Sequence, residues 1–324
     1  MWDFSLRQSI NLLVRTMPFL LLRCAVYFGI TLAYILMTGV GAGVGYGIGG
    51  FWDESTQAAA ALWGGIAGFG LLGGVLFFAR EYLLYSVKAG HIAVLVQLLD
   101  GGEIPQGRSQ ISYASQVVKS RFAQTNTLFA MDMLIKGVIN AITGLIQGVG
   151  GFIPGLQQVM GVVKAFLRIA VGLVDEVILA YIIRTDSDNP WLASRSALVL
   201  YGQNGSVMLK NAAWLTVFTY GLSFVVFLIM LAPAAALVYL VPGAWSAGGM
   251  LFALLFAWAV KVAVIEPFAI ACLLQAYFHA IKDQTPNPEW EARLDKVSNK
   301  FGELKGKAQT WVQPEKVNTS EVSE

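Results

Sequence analysis

Apolar residues recur along this chain in long blocks parted by short polar stretches, and the blocks have helical length. Residues 24–52, 55–79, 211–240 and 250–281 each exceed the roughly 20 residues that an α-helix needs to cross a hydrocarbon core. Two further blocks lie within 128–183 and are hinged at Gly148–Gly155. The pattern predicts an all-α, polytopic integral membrane protein of about six spans, four of them unbroken by the pattern's own polar residues or nearly so. Its transmembrane domain covers 24–281 and includes two inner segments, 80–127 and 184–210.

The flanks follow a different pattern. Over residues 1–23, Trp2, Leu6, Ile10, Leu13 and Met17 fall near one helical face beside Arg7, Arg15 and Arg23, which predicts an interfacial amphipathic helix. The segment 282–324 reads as a tail. Within it Asn287 and Pro288 suit a helix cap and first turn. From there Trp290, Leu294, Val297, Phe301, Leu304, Ala308 and Trp311 recur at spacings of four and three. This predicts a heptad helix over 288–312, fit either to dock on another subunit or to lie on lipid headgroups.

Composition agrees with the pattern. Hydrophobic residues make up 56% of the chain and charged residues 13%, against about 25% charged in soluble domains. A net charge of +2 excludes a nucleic-acid partner on electrostatic grounds. Basic residues bias 1–23, 80–127 and 184–210 toward one side, so both termini are expected in the cytoplasm, with the protein in the plasma (inner) membrane. Cys24 and Cys272 both fall in spans and read as buried thiols. The glycines of 39–50 form a small-residue packing surface. A phosphate loop is not indicated there, because no lysine follows and no strand precedes.

The central segment carries the chemistry. Asp132, Lys136, Asn140, Thr143 and Gln147 make one polar stripe; Gln157, Lys164, Arg168 and Asp175 make another, with Glu176 beside it. Charges at bilayer depth cost several kcal/mol, so they face partners or a water-filled cavity. Asp175 is in reach of Arg168, whereas Glu176 has no local partner. The stripes suit spans lining a path, and they equally suit a re-entrant hairpin at the interface. In the last span Lys261 and Glu266, five apart, point about 140° from each other on an α-helix and do not bridge; Asp175 or Glu176 is the expected partner for Lys261. Pro267 should bend that span.

No HExxH, paired-histidine or GxSxG motif occurs. No enzyme activity, cofactor or metal site is therefore expected. The expected function is a transporter or channel-like path for a small polar or cationic solute, lined by 132–176. The alternative is a non-transporting scaffold, assembled through the glycine-rich spans and through Trp290, Leu294, Val297, Phe301 and Leu304. A homo-oligomer is expected, with the lipid bilayer as the surrounding partner.

Over residues 189–240, Tyr201-Gly202-x-Asn204 and Lys210-Asn211-Ala212 precede a long apolar run. This resembles the later half of the choline transporter-like family, across roughly a sixth of the chain. That family has more spans and a large extracellular loop, features this sequence lacks. The resemblance implies movement of a quaternary amine, met by aromatic faces and a carboxylate; Trp214, Tyr220, Trp258 and Tyr277 are the aromatic residues on offer.

Overall fold

The structure, a computed structural model, describes residues 2–122, 130–141, 172–240 and 249–311. Among these residues all regular structure is helical. The elements are α1 (Leu6–Arg15), α2 (Met17–Gly49), α3 (Glu54–Leu99), α4 (Gln110–Phe122), α5 (130–141), α6 (Val174–Thr185), α7 (Pro190–Gln203) and α8 (Gly205–Leu240). They are followed by α9 (Gly249–Val260), a π-turn (Lys261–Ile265), α10 (Glu266–Ala280), α11 (Pro288–Val297) and α12 (Asn299–Gln309). The hinge Gly148–Gly155, with Thr143, Gln147, Gln157, Lys164 and Arg168, lies outside the described residues.

Four helical segments are long and apolar enough to cross a membrane: Met17–Gly49, Glu54–Phe77, Gly205–Ala236 and Met250–Ala280. They fall on four of the six expected spans. The chain divides into two compact units. One holds residues 17–87 and 219–267, and its apolar side chains point largely outward. Leu36, Val40, Val44, Leu62, Trp63, Phe224 and Leu228 are all exposed there, as befits helices whose solvent is lipid.

The contact of α2 with α3 in this unit is a glycine seam. Gly41, Gly45 and Gly49 recur every four residues, as do Gly64 and Gly68 opposite. A methyl group at Gly64 would sit inside the van der Waals radius of the Gly41 carbonyl oxygen, and one at Gly45 would collide with the Ala60 carbonyl. Missing side chains let the two backbones meet, which is how small residues pack helices in a bilayer. This surface is therefore used within the chain. The turn beyond it is closed by Asp53, whose carboxylate accepts from Ser55 Oγ at 2.5 Å and from the Thr56 amide at 2.8 Å. Those bonds hold its pKa down to about 2.

The second unit comprises residues 1–16, 88–218 and 268–324 and has a different character. Its helices bury their apolar faces against each other: Ile92, Leu95, Met131, Ile135, Ile178, Ile182, Leu200, Leu274 and Tyr277 are all buried. Tyr277 donates its hydroxyl proton to the Ala197 carbonyl at 3.1 Å, so a buried phenol is satisfied.

Several expectations need correction here. The amphipathic helix expected over 1–23 stops at Arg15, because Pro18 has no N–H to continue the ladder and Thr16 closes the turn onto the Leu12 carbonyl. Its buried face is Ser9, Leu12 and Leu13, while Ile10 is exposed. The inner segment expected over 80–127 begins within α3, which runs unbroken to Leu99. Only then does the chain turn, with Gly101 and Gly107 at positive φ. The polar connection expected over 184–210 is mostly α7, capped by Asn189 on the amides of Trp191 and Leu192 and buried along much of its length.

The tail does not form one helix over 288–312. It breaks at Ser298, which adopts an extended conformation between α11 and α12. Leu294, Phe301 and Leu304 of the seam are buried, Trp290 is half-buried and Val297 is exposed. What the seam meets is α7 of the same chain. Arg195, 5% exposed, donates to Glu291 Oε1 at 2.9 Å, to Asp295 Oδ2 at 2.6 Å and to the Phe301 carbonyl at 2.9 Å. Its guanidinium also lies 4.0 Å over the Phe301 ring. Hydrogen bonds to a charged group are worth roughly 1.5–3 kcal/mol each. Arg195→Met should thus raise tryptic cleavage at Lys296 and Lys300 by roughly tenfold or more. An unchanged digestion rate would mean that apolar packing alone holds the tail.

Candidate functional site

A chain of buried charge runs through the second unit. Its carboxylates come from α5 and α6, and its ammonium groups from α3 and α5. In α6 the local reason is clear: Asp175 and Glu176 occupy the first turn, where the helix dipole favours negative charge. The helix begins at Val174, with Leu173 as its cap residue. Asp175 is accordingly in the first turn of this helix. Its expected partner Arg168 lies outside the described residues.

The missing counter-charge comes from α3. Lys88 Nζ contacts Glu176 Oε1 closely and lies 3.9 Å from Asp175 Oδ2. Glu176 therefore has a partner, though a distant one in sequence. Lys136 Nζ lies 2.5 Å from Asp132 Oδ2, an i, i+4 pair, and 4.0 Å from Asp175 Oδ2. The order is Glu176, Lys88, Asp175, Lys136, Asp132: three acids alternating with two bases. Asp132 and Glu176 are only 1% and 2% exposed, and among the described residues Asp132 Oδ1 and Glu176 Oε2 have no hydrogen-bond partner. Buried polar atoms are nearly always paired, so two such oxygens in one cluster call for an explanation. Lys136 is about half exposed and gives the cluster a face toward its surroundings. Asn140, on the same stripe, is exposed.

The other pair, Lys261 and Glu266, belongs to the membrane unit and does bridge, at 3.5 Å. The π-turn accounts for the correction. It inserts an extra residue per turn, so positions five apart fall nearly in line. The amide of Glu266 bonds to the Lys261 carbonyl. In that register the Val262 carbonyl would look to residue 267, but Pro267 has no N–H. Arg23 fills the gap, donating from Nη2 to the Val262 carbonyl at 2.8 Å, with Glu266 Oε2 3.8 Å away. Arg23 is thus a 2% exposed interior residue and not a surface anchor. Its role was hidden in the sequence, where it looks like the last basic residue before a span.

Lys88 was likewise missed; a lone lysine in the apolar stretch that follows Tyr85 is the signal that could have found it. The aromatic residues Trp214, Tyr220, Trp258 and Tyr277 are placed separately. Trp214 meets Trp2 at 5.1 Å, Trp258 meets Tyr27 at 5.7 Å, Tyr277 is buried against Tyr201 at 6.1 Å, and Tyr220 is exposed. Lys210 and Asn211 hold Asp3, at 2.7 and 2.8 Å. Cys24 and Cys272 are both free, and Cys272 Sγ lies 3.0 Å from Ser9 Oγ. Among the described residues no group of histidine, cysteine and acidic side chains is arranged to hold a metal ion. Comparison with models of protein families, with curated proteins and with solved structures returns no match for this chain.

Proposed function

We propose that the protein is a membrane transporter or channel-like protein for a small cationic solute, with Asp132, Asp175 and Glu176 as its cation-attracting groups. The observation that carries this reading is the imbalance of the buried cluster. Among the described residues three carboxylates face two ammonium groups, and two buried carboxylate oxygens have no hydrogen-bond donor. Burying a charge without a partner is costly, and a cation would complete this set. The choline transporter-like resemblance of 189–240 makes a quaternary amine the first solute to try. On this reading both termini face the cytoplasm, and the protein sits in the plasma (inner) membrane.

The rival reading is an oligomeric scaffold. It is less well supported because both surfaces it needs are occupied inside the chain: Gly41, Gly45 and Gly64 meet across α2 and α3, and Leu294, Phe301 and Leu304 are buried in the same unit as α7. The test is uptake of labelled choline and of potassium into vesicles carrying the purified protein. Uptake of either should exceed that of empty vesicles and fall at least tenfold in Asp175→Asn with Glu176→Gln. No uptake of either solute, or uptake indifferent to these substitutions in a folded variant, would overturn the assignment.

A further inference from the structure

The membrane unit carries a second charged cluster that the transport reading does not use, and its depth follows from chain geometry. The uncharged run 24–49 of α2 measures roughly 39 Å at 1.5 Å per residue. It ends in a turn where Phe51 and Trp52 are exposed beside Asp53 and Glu54, the signature of one membrane–water interface. A hydrocarbon core is only about 30 Å thick. Arg23 therefore lies at the headgroup level of the opposite interface. Since Arg23 touches the Val262 carbonyl and approaches Glu266, Lys261 and Glu266 lie at the same level.

Among the side chains described at that level, two positive groups face one carboxylate. Arg23 is buried, with its Nη2 on a backbone carbonyl. Lys261 is 36% exposed, and its contact with Glu266 is long, at 3.5 Å. That engages at most one of its three N–H donors. Trp258 is exposed on the preceding turn and packs edge-on against Tyr27, in keeping with an indole at an interfacial belt. We propose that Lys261 and Trp258, with the Arg23 charge behind them, form a binding site for the headgroup phosphate of an anionic phospholipid of the surrounding bilayer. Lys261 takes the phosphate, Glu266 orients the lysine, and Arg23 supplies the charge that makes the net field positive. The π-turn is what puts the lysine and the glutamate on one side.

The test uses the full chain reconstituted in vesicles of equal phosphatidylglycerol and phosphatidylcholine, extracted gently, with the retained lipid counted. Wild type should retain phosphatidylglycerol over phosphatidylcholine by about fivefold, the factor that one basic residue at a membrane surface supplies. Lys261→Gln should bring the ratio to that of the bulk lipid, whereas Lys261→Arg should keep it. Equal retention of both lipids by wild type overturns the proposal, and that comparison stands even if Lys261→Gln fails to fold. Unchanged enrichment in a folded Lys261→Gln overturns it as well. So does displacement of the lipid by millimolar inorganic phosphate, which would identify the site as one for a soluble anion.

Discussion

Replacing Lys88 by methionine will lower the stability of the protein by about 3–5 kcal/mol, the usual cost of removing one partner from a buried ion pair. Lys88 is the only described ammonium group in contact with Glu176, and it also faces Asp175. Methionine keeps the length and apolar stem of the side chain, so cavity formation contributes little. What remains is a buried carboxylate with no neutralising neighbour among the described residues, which costs far more than the pair contributes in net terms. The loss should be largely reversed in the double variant Lys88→Met with Glu176→Gln, because the uncompensated charge is gone. Thermal unfolding of the four proteins in detergent gives the coupling directly. Additive losses would show that Lys88 does not act through Glu176.

A second large effect is expected at the glycine seam. Gly64→Leu places a side chain where the Gly41 backbone stands. Neither helix can yield by rotating a rotamer, since the obstructing atoms are main chain. Overpacking costs typically 1–3 kcal/mol where side chains give way, and here the cost should reach about 3 kcal/mol or more. Gly43→Leu and Gly70→Leu are the controls, as nothing lies within 4 Å of a Cβ at either position. Both should unfold within a few degrees of wild type, while Gly64→Leu loses its α2–α3 contact and unfolds well below it. Equal behaviour of all three would remove the seam as a source of stability.

These two sites differ in how far they could be read from the sequence. The glycines of 39–50 were legible as a packing surface because small residues repeated on an apolar helix have few meanings in a membrane, but that α3 would be their partner was not. The helix start at Asn287-Pro288 was legible for the same local reason, namely that side-chain chemistry and backbone geometry act within a few residues. The acids of the charged cluster were also visible, as polar positions in apolar helices. Lys88 was not, because a periodic pattern tells which face a residue occupies and never which helix will meet it. The Lys261–Glu266 bridge escaped for another reason. Spacing arguments assume a regular α-helix, and the π-turn ahead of Pro267 breaks that assumption at the one place it mattered. The burial of Arg23 escaped because the rule that basic residues mark span ends does not distinguish a snorkelling arginine from a buried one.

The placement of Arg195 has a consequence for the order in which the chain is completed. Its carboxylate partners lie 96 and 100 residues further on, at Glu291 and Asp295. As a ribosome delivers the chain, α7 emerges with a guanidinium destined for the interior and nothing yet made to neutralise it. The last long apolar helix must be synthesised and threaded before α11 arrives to close over it. A nascent chain that stalls between 204 and 290 therefore holds an unfinished α7, with apolar surface and an unmatched positive charge together. That is the kind of surface quality-control factors detect, so release of α7 from such surveillance should coincide with synthesis of the tail.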